Sequence, residues 1–319
     1  MNYNPIAWIG KLGTFGVAAG IFLGLVLPEL ASFFRPWLAW TIFAILALTM
    51  ARVDLGLLSD IIRKPLRICG TTFVIMVAFP ILTGFVLQAI GIWTWWPDLA
   101  LAILIMATAP PLLSAPALIY LIGLDGPLAM ATLLGCVTIT PITVPLIMSW
   151  FAGPALSVST LDLAFQLFTL IAGAALAAGL FRTIIGNKWI AANTDTVDGL
   201  MIIAMFIFAV TFMDGIGLKI LETPTRIGTL TTLAFGLSTL FILVLTSIYW
   251  SGGRERALTI GIVNGNRSVG LIVAAVAGNI PDLTWTYCAL AQFPIYLLPF
   301  ILKPIAGRLA PRIRANLRE

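Results

Sequence analysis

A single arginine stands inside a long uncharged stretch near the carboxyl end of the sequence. Residues 264–270 read Asn-Gly-Asn-Arg-Ser-Val-Gly, and Arg267 follows ten uncharged residues and precedes fourteen. A guanidinium group keeps its charge and has five donors, so it can bind an anion through two hydrogen bonds or cap carbonyl groups that lack partners. Asn264, Asn266 and Ser268 compete with a helix for backbone hydrogen bonds. The stretch therefore predicts a polar interruption that carries one positive charge.

A second unusual cluster lies in the first half of the chain. Residues 107–119 read ATAPPLLSAPALI, with Pro110, Pro111 and Pro116 close together and Ser114 between them. Proline removes a backbone donor and clashes with the preceding helical turn, so the segment predicts a second interruption. A kinked packing helix is the alternative. We favour a binding site, because three prolines free several carbonyl groups that must face protein or a water-filled cavity.

Two further polar residues are candidates for ligand contacts. Thr138 can also bond its own helix, whereas the amide of Gln292 needs partners if it is buried. The chain has no histidine, and the three cysteines, at positions 69, 136 and 288, do not have metal-ligand spacing. There is also no nucleophile–base spacing and no phosphate loop, so we expect neither a metal site nor an enzyme, and no catalytic residue or cofactor.

The composition defines the surroundings of these residues. The chain is 60% hydrophobic and only 10% charged, whereas a soluble domain has about 25% charged residues. About 20 apolar residues cross a bilayer as a helix, and several charge-free stretches are that long. The sequence therefore predicts an all-α polytopic membrane protein with ten transmembrane helices, over roughly residues 6–27, 36–53, 66–91, 99–122, 127–151, 161–185, 196–217, 227–250, 257–279 and 283–303.

The distribution of basic residues indicates the orientation. Ten helices place both termini on one side, where fourteen of the 18 Lys and Arg residues fall, while three fall on the other side. Basic loops favour the cytoplasm, so we expect a multi-pass protein of the cell inner (plasma) membrane with both termini cytoplasmic. This bias explains the net charge of +5. The expected partners are the lipid bilayer and a small ligand, not nucleic acid.

Two similar segments indicate an internal repeat. DLGLLSDIIRKPLRI (54–68) and DGIGLKILETPTRI (214–227) each run from an Asp to Pro-x-Arg-Ile, and the two Asp residues are 160 positions apart. This offset is half of the chain and leaves five helices in each half. Because five is odd, the second half enters the membrane from the opposite side to the first half, as in the inverted repeats of many secondary transporters. The sequence thus predicts one transmembrane unit with inverted repeats over 1–158 and 159–319, whose fourth and ninth helices are broken.

The two broken segments resemble the corresponding motifs of the bile acid:sodium symporter family. The resemblance rests on APPLLSAPALIYLIGLDGPLAM (109–130) and NGNRSVGL (264–271), and it covers nearly the whole chain. It implies that helices 4 and 9 cross in a core domain of helices 3–5 and 8–10, beside a panel domain of helices 1, 2, 6 and 7. It also implies a secondary transporter that carries a small organic anion by alternating access.

The sodium-binding positions of that family differ in this chain. The family uses Ser and Asn at the fourth-helix break, Ser and Thr in the fifth helix, Gln in the third and Glu at the start of the ninth-helix motif. The residues aligned with the first three groups are Ala115, Pro116, Ala129, Leu133 and Ile75. No acid lies within 257–281. Sodium coupling is therefore doubtful, and the Arg267 guanidinium could sit where a cation would otherwise sit.

Two other functions remain open. One is a related ten-helix permease of the auxin-efflux or arsenite type, although an arsenite carrier is expected to have a cysteine where Ala109 stands. The other is a non-transporting membrane sensor, which would normally carry a soluble signalling domain. On the leading hypothesis of an organic-anion carrier, the substrate- or ion-binding residues are Pro110, Pro111, Ser114, Pro116, Thr138, Asn264, Asn266, Arg267, Ser268 and Gln292.

Overall fold

The structure, a computed structural model, describes residues 5–10, 14–53, 65–156, 158–276 and 280–309. These residues form helices joined by short turns, which confirms the all-α class. Seven helices within the described residues are long and apolar enough to cross a membrane, as expected of a membrane-embedded protein. They are Pro28–Ala51, Leu66–Ala89, Gly126–Phe151, Thr160–Ile185, Thr194–Glu222, Pro224–Gly252 and Asp282–Pro304.

The other three predicted membrane segments contain shorter helices. They are Pro5–Gly10 and Thr14–Val26 in the first segment, Pro97–Thr108 and Ala115–Ile122 in the fourth, and Arg254–Gly265 and Val269–Ala275 in the ninth. Both predicted helix interruptions are therefore present. The ten-helix count and the inverted repeat stay predictions, and residues 54–64 of the first repeated segment lie outside the described residues.

Several long segments are themselves built from successive helices. The third predicted segment contains Pro65–Phe73, a π-helix over Val74–Ala78, and Phe79–Ala89, followed by Ile92–Trp95. The others divide at short turns into Pro28–Phe34 and Leu38–Ala51, Thr194–Phe212 and Ile216–Glu222, and Asp282–Leu290 and Gln292–Leu309. The short helix Asn187–Ala192 precedes the second of these segments, and the helix Pro224–Tyr249 follows it.

Local sequence sets the turn between the fourth and fifth predicted segments. Gly123 has a φ of 84°, a left-handed conformation that ends the preceding helix and suits glycine. The side chain of Asp125 then accepts a hydrogen bond from the amide of Leu128 at 2.9 Å. This N-cap satisfies a free donor in the first turn of the helix Gly126–Phe151.

One compact unit contains residues from 1–53, 166–228 and 273–278. In it, the helix Thr14–Val26 packs closely against Thr194–Phe212 through its glycines. A Cβ atom at Gly24 would lie 2.6 Å from the carbonyl oxygen of Val210, and one at Gly20 would lie 2.7 Å from that of Phe206. Glycine is therefore required at this helix contact, because any larger residue would push the two backbones apart.

Two ion pairs join elements of the same unit. Arg35 Nη1 lies 2.8 Å from Asp214 Oδ2, and Arg52 pairs with Asp198. Both arginine side chains are at least one-third exposed. Exposed pairs contribute only about 0–1 kcal/mol, so helix packing rather than these charges provides most of the stability of this unit.

The second compact unit contains residues from 54–165, 229–272 and 279–319. Its buried core contains residues from 54–165 and from 229–272. Ile119 and Ala129 of the first range pack together with Ile242 and Ile262 of the second. The hydroxyl group of Thr284 also donates to the carbonyl oxygen of Asp98 at 2.8 Å. This unit contains both helix interruptions, so the candidate site lies within it.

Candidate binding site at two interrupted helices

The first interruption occupies residues 109–114. The preceding helix ends at Thr108, and Ala109 after it is extended, with a ψ of 141°, because a residue before proline is pushed out of the helical region. Pro110 precedes Pro111, so the same restriction applies again, and neither proline has an N–H. Pro116 instead lies in the first turn of the next helix, where a missing N–H costs little. Two prolines therefore end one helix, and the third helps to begin the next.

The second interruption occupies residues 266–268. The helix Arg254–Gly265 ends because Asn266 is extended, with φ −100° and ψ 92°. Gly265 allows the neighbouring helix to approach, since a Cβ atom there would lie 3.0 Å from the carbonyl oxygen of Ser238. The interruption is buried, so its backbone groups need partners inside the protein.

The two interruptions satisfy each other's backbone groups. The amide of Leu112 donates to the carbonyl oxygen of Asn266 at 2.8 Å, and the amide of Ser268 donates to the carbonyl oxygen of Pro110 at 2.7 Å. These bonds form a short antiparallel pair in which Pro111 is directly opposite Arg267. The side chains of opposed residues share one face, and adjacent residues point to the other face. Arg267 therefore projects from one side of the pair, and Asn266 and Ser268 from the other.

The guanidinium group of Arg267 is fully buried and bonds to oxygen atoms of its own chain. Nη1 donates to the carbonyl oxygen of Ala109 at 2.7 Å, and Nη2 donates to the side-chain oxygen of Asn264. The carbonyl oxygen of Ile75 lies 3.5 Å from Nη1 and 3.4 Å from Nη2, at the long limit of hydrogen bonding. All three acceptors are neutral, so dipoles stabilise the charge and a net positive charge remains at the site.

The carbonyl group of Ile75 is available because of a local change in helix type. In the π-helix Val74–Ala78, the amide of Phe79 donates to the fifth preceding residue instead of the fourth. The next amide in this pattern would bond Ile75, but it belongs to Pro80, which has no N–H. The π-helix and the proline together leave this oxygen free to accept from the guanidinium group.

An amide and an aromatic pair hold the guanidinium group from other directions. Asn264 Nδ2 donates to the carbonyl oxygen of Phe241 at 3.0 Å, which turns the Asn264 side-chain oxygen toward Arg267. The ring of Phe79 has its centroid 5.4 Å from Arg267 Cζ, within cation–π distance. Phe79 also makes an edge-on contact with Phe241, with 4.7 Å between ring centroids. The arginine side chain is therefore positioned by three separate helices.

Several polar atoms at the interruptions have no partner among the residues that the structure describes. They are the side-chain oxygen and nitrogen of Asn266, the hydroxyl group of Ser114 and Nε of Arg267, and all are buried. A buried polar atom without a hydrogen bond costs about 1–3 kcal/mol, and folded proteins usually satisfy such atoms with water or a ligand. These atoms are therefore candidates to contact a small polar ligand.

The two remaining predicted site residues each bond to the carbonyl group four residues earlier in the chain. The hydroxyl group of Thr138 is exposed and donates to the carbonyl oxygen of Leu134 at 2.8 Å. Gln292 is buried, and its Nε2 donates to the carbonyl oxygen of Cys288 at 3.3 Å. The other predicted residues belong to the interruptions or the helix turns beside them: Pro110, Pro111, Ser114, Pro116, Asn264, Asn266, Arg267 and Ser268.

The sequence predicts Asn264 as a site residue, and it predicts that Arg267 can cap carbonyl groups freed at the interruptions, as it does at Ala109. It does not predict the carbonyl group of Ile75 or the ring of Phe79 as partners of Arg267. Ile75 drew attention only because its side chain cannot bind sodium. Pro80 was a usable signal, because it lies five residues after Ile75 and has no N–H. It therefore leaves the carbonyl group of Ile75 without a donor if the helix is locally a π-helix.

The arrangement can hold two interrupted helices together around a permanent positive charge and can present polar atoms to a small ligand. Among the described residues, no group of three or more His, Cys, Asp or Glu side chains is placed to hold a metal ion. No protein-family model and no curated protein matches the chain. The geometry of the interruptions is therefore the basis on which a function can be proposed.

Proposed function

We propose that the protein is a secondary transporter that carries a small organic anion across the membrane by alternating access. The observation that carries this proposal is the fully buried guanidinium group of Arg267 at the paired interruptions, bonded to neutral oxygen atoms. Interrupted helices that meet inside the membrane are typical substrate sites of transporters. A fixed positive charge at such a site favours a negatively charged ligand.

The proposed architecture has ten membrane segments in two inverted repeats, with helices 1, 2, 6 and 7 as a panel domain and helices 3–5 and 8–10 as a core domain. The division of the chain into compact units supports this arrangement. One unit takes most of its residues from 1–53 and 166–228, where the panel helices are expected, and the other takes 54–165 and 229–272, from the expected core. Two separate packing units are what rocking motions require.

The proposed transport does not depend on sodium. The positions where the resembled family has sodium ligands carry buried hydrocarbon side chains, including Ala115, Ala129 and Leu133. The carbonyl oxygen atoms of Ala109 and Ile75 face the Arg267 guanidinium, as they would face a bound cation. A tethered positive charge at this place makes a diffusing cation redundant, so membrane potential or exchange of anions is the proposed driving force.

We place the transporter in the cell inner membrane with both termini in the cytoplasm. Fourteen basic residues on one side against three on the other support this orientation. Alkaline phosphatase, which is active outside the cytoplasm, provides the test. A fusion after Glu319 should be inactive and an insertion near Trp95 active, and the opposite result would contradict the topology.

The transport proposal is tested first by a thermal-shift screen of small carboxylates and sulfonates against the purified protein, in sodium and in potassium buffers. We expect at least one anion to raise the melting temperature equally in both buffers, and to enter proteoliposomes that contain the protein. Arg267→Ala should abolish the response. Arg254→Gln, which removes an exposed positive charge at the far end of the helix that precedes the second interruption, should retain it.

Two outcomes of these assays would contradict the proposal. If no anion stabilises or enters, the protein is not an anion transporter of this kind. If uptake is strongly stimulated by a sodium gradient but not by a potassium gradient, backbone carbonyl groups at the interruptions build a sodium site. That result would reject the tethered-cation role of Arg267 while leaving transport itself intact.

A further inference from the structure

An apolar groove lies in the same compact unit as the interruptions, between residues 79–103 and 229–244. Its volume of about 520 Å³ lies in the range of about 300–1,000 Å³ that is typical of ligand pockets. The lining is aliphatic and aromatic apart from Thr83 and Thr229, and the hydroxyl group of Thr83 donates to the carbonyl oxygen of Phe79 at 2.9 Å. Such a lining favours a hydrocarbon ligand, because it offers almost only apolar contact.

The groove opens onto an exposed apolar surface, which in a membrane-embedded protein contacts lipid. Its rim residues Leu82, Val86 and Leu240 are 55%, 50% and 50% exposed. They lie on helices that are long and apolar enough to cross a membrane. A hydrocarbon chain can therefore enter the groove sideways from the bilayer without passing through water.

The length of the groove matches one leaflet of a bilayer. At about 1.5 Å per residue, the wall from Phe79 to Ile90 is roughly 17 Å long and the wall from Thr229 to Val244 roughly 22 Å. Half of a hydrocarbon core of about 30 Å is about 15 Å. Trp95 lines one end and is 64% exposed, and tryptophan is enriched at the level of lipid headgroups. A groove of this length with a tryptophan at one end suits the distance from the membrane interface to the middle of the bilayer.

We propose that this groove binds one acyl chain of a membrane phospholipid, with the headgroup near Trp95 and the end of the chain against Phe79 and Phe241. Both phenylalanines line the groove and are nearly buried. Phe79 also lies against the guanidinium group of Arg267. A bound acyl chain therefore supports the aromatic pair that packs behind the positive charge. The assignment holds whether or not the protein transports an anion.

The test uses the full-length protein in nanodiscs that contain a phosphatidylglycerol probe with a photoreactive diazirine near the end of one acyl chain. After illumination, mass spectrometry locates the labelled residues. We expect labelling within 79–103 and 229–244 that saturates as the probe fraction rises. Leu237→Trp should reduce it roughly tenfold, the loss expected when about two methylene groups are displaced. Leu243→Trp is the matched control, because Leu243 is 56% exposed on the same helix and does not line the groove.

Labelling that rises in proportion to the probe fraction and is equal in both variants would overturn the proposal, because it would show only surrounding lipid. If Leu237→Trp does not fold, competition in the wild-type protein gives the same information. Unlabelled phosphatidylglycerol should then reduce labelling in the groove more than labelling at Leu243. Displacement of the probe by small carboxylates but not by phospholipid would assign the groove to a transported anion and would also reject the lipid assignment.

Discussion

Replacement of Arg267 by alanine tests whether the buried charge stabilises the paired interruptions. Arg267 is among the largest fully buried side chains in the described residues, and two hydrogen bonds connect it to Ala109 and Asn264. Hydrogen bonds to charged groups contribute about 1.5–3 kcal/mol each, or about 3–6 kcal/mol for two. The cavity left in the alanine variant destabilises it further. Loss of the buried charge acts in the opposite direction, because removing an ion from water costs several kcal/mol. We expect a net loss of about 2–4 kcal/mol.

Two further substitutions separate the causes of that loss. Arg267→Met restores most of the side-chain volume without a donor, so it should recover only the cavity contribution. Arg267→Lys keeps the charge, but a compact ammonium group cannot reproduce the planar fork that bonds two acceptors at once. We therefore expect melting temperatures that rise in the order alanine, methionine, lysine and wild type. Anion affinity should follow charge and fork geometry, with alanine and methionine inactive and lysine weak.

The stability assay uses the buried cysteines as reporters. Cys136 and Cys288 are buried and Cys69 is exposed, so a thiol-reactive dye reports unfolding above a constant background. At a fixed scan rate, about 2–4 kcal/mol corresponds to a fall of roughly 3–6 °C for a chain of this length. An alanine variant that melts at or above the wild-type temperature would refute the stabilising role of the hydrogen bonds. A folded alanine variant with unchanged anion affinity would exclude Arg267 from the ligand site.

Three smaller perturbations test other parts of the fold by the same melting assay. Pro80→Ala restores an amide that can bond the carbonyl group of Ile75. In that background Arg267→Ala should lower the free energy of unfolding by about 1 kcal/mol less than it does alone, and equal losses would reject the π-helix explanation. Gly24→Ala should destabilise the protein by about 1–3 kcal/mol, because its Cβ would lie 2.6 Å from a backbone oxygen. The control Gly179→Ala, with open space around it, should be neutral or stabilising, and equal shifts in melting temperature would contradict close packing at Gly24. In a double-mutant cycle, Arg35 and Asp214 should show a coupling of about 0–1 kcal/mol, since Arg35 is 52% exposed, and a coupling above about 2 kcal/mol would show that water does not screen this pair.

The helical class and the two interruptions could be predicted because they depend on local rules. Composition alone required lipid as the solvent for much of the chain, and proline restricts its own residue and the one before it wherever it occurs. The same rules were less informative about roles. Pro116 interrupts nothing by itself, since the first turn of a helix tolerates proline. Its role could be assigned only when the helix was seen to begin at Ala115.

The surroundings of Arg267 could not be predicted, because they depend on backbone direction and distant residues. Ile75 lies 192 positions away along the chain, and its contribution is a carbonyl group rather than a side chain. The π-helix Val74–Ala78 that frees this carbonyl group has no distinctive residue types, and the only local signal is Pro80, two residues after its end. Thr138 shows the opposite problem, since a threonine in a membrane helix can bond a ligand or its own backbone. The structure records the second.

The distance along the chain between the paired interruptions has a consequence for biosynthesis. Arg267 follows Ala109 by 158 residues, and a ribosome adds about 5–20 residues per second. Arg267 is therefore synthesised roughly 8–30 s after Ala109, and until then the carbonyl group of Ala109 has no arginine partner. During that interval the backbone groups of the first broken segment lack the partners that residues 266–268 provide in the structure. A late segment of the chain thus completes a break made in its first half. A polypeptide that ends before residue 267 would keep an open polar break, a feature by which quality-control proteases could identify an unfinished protein.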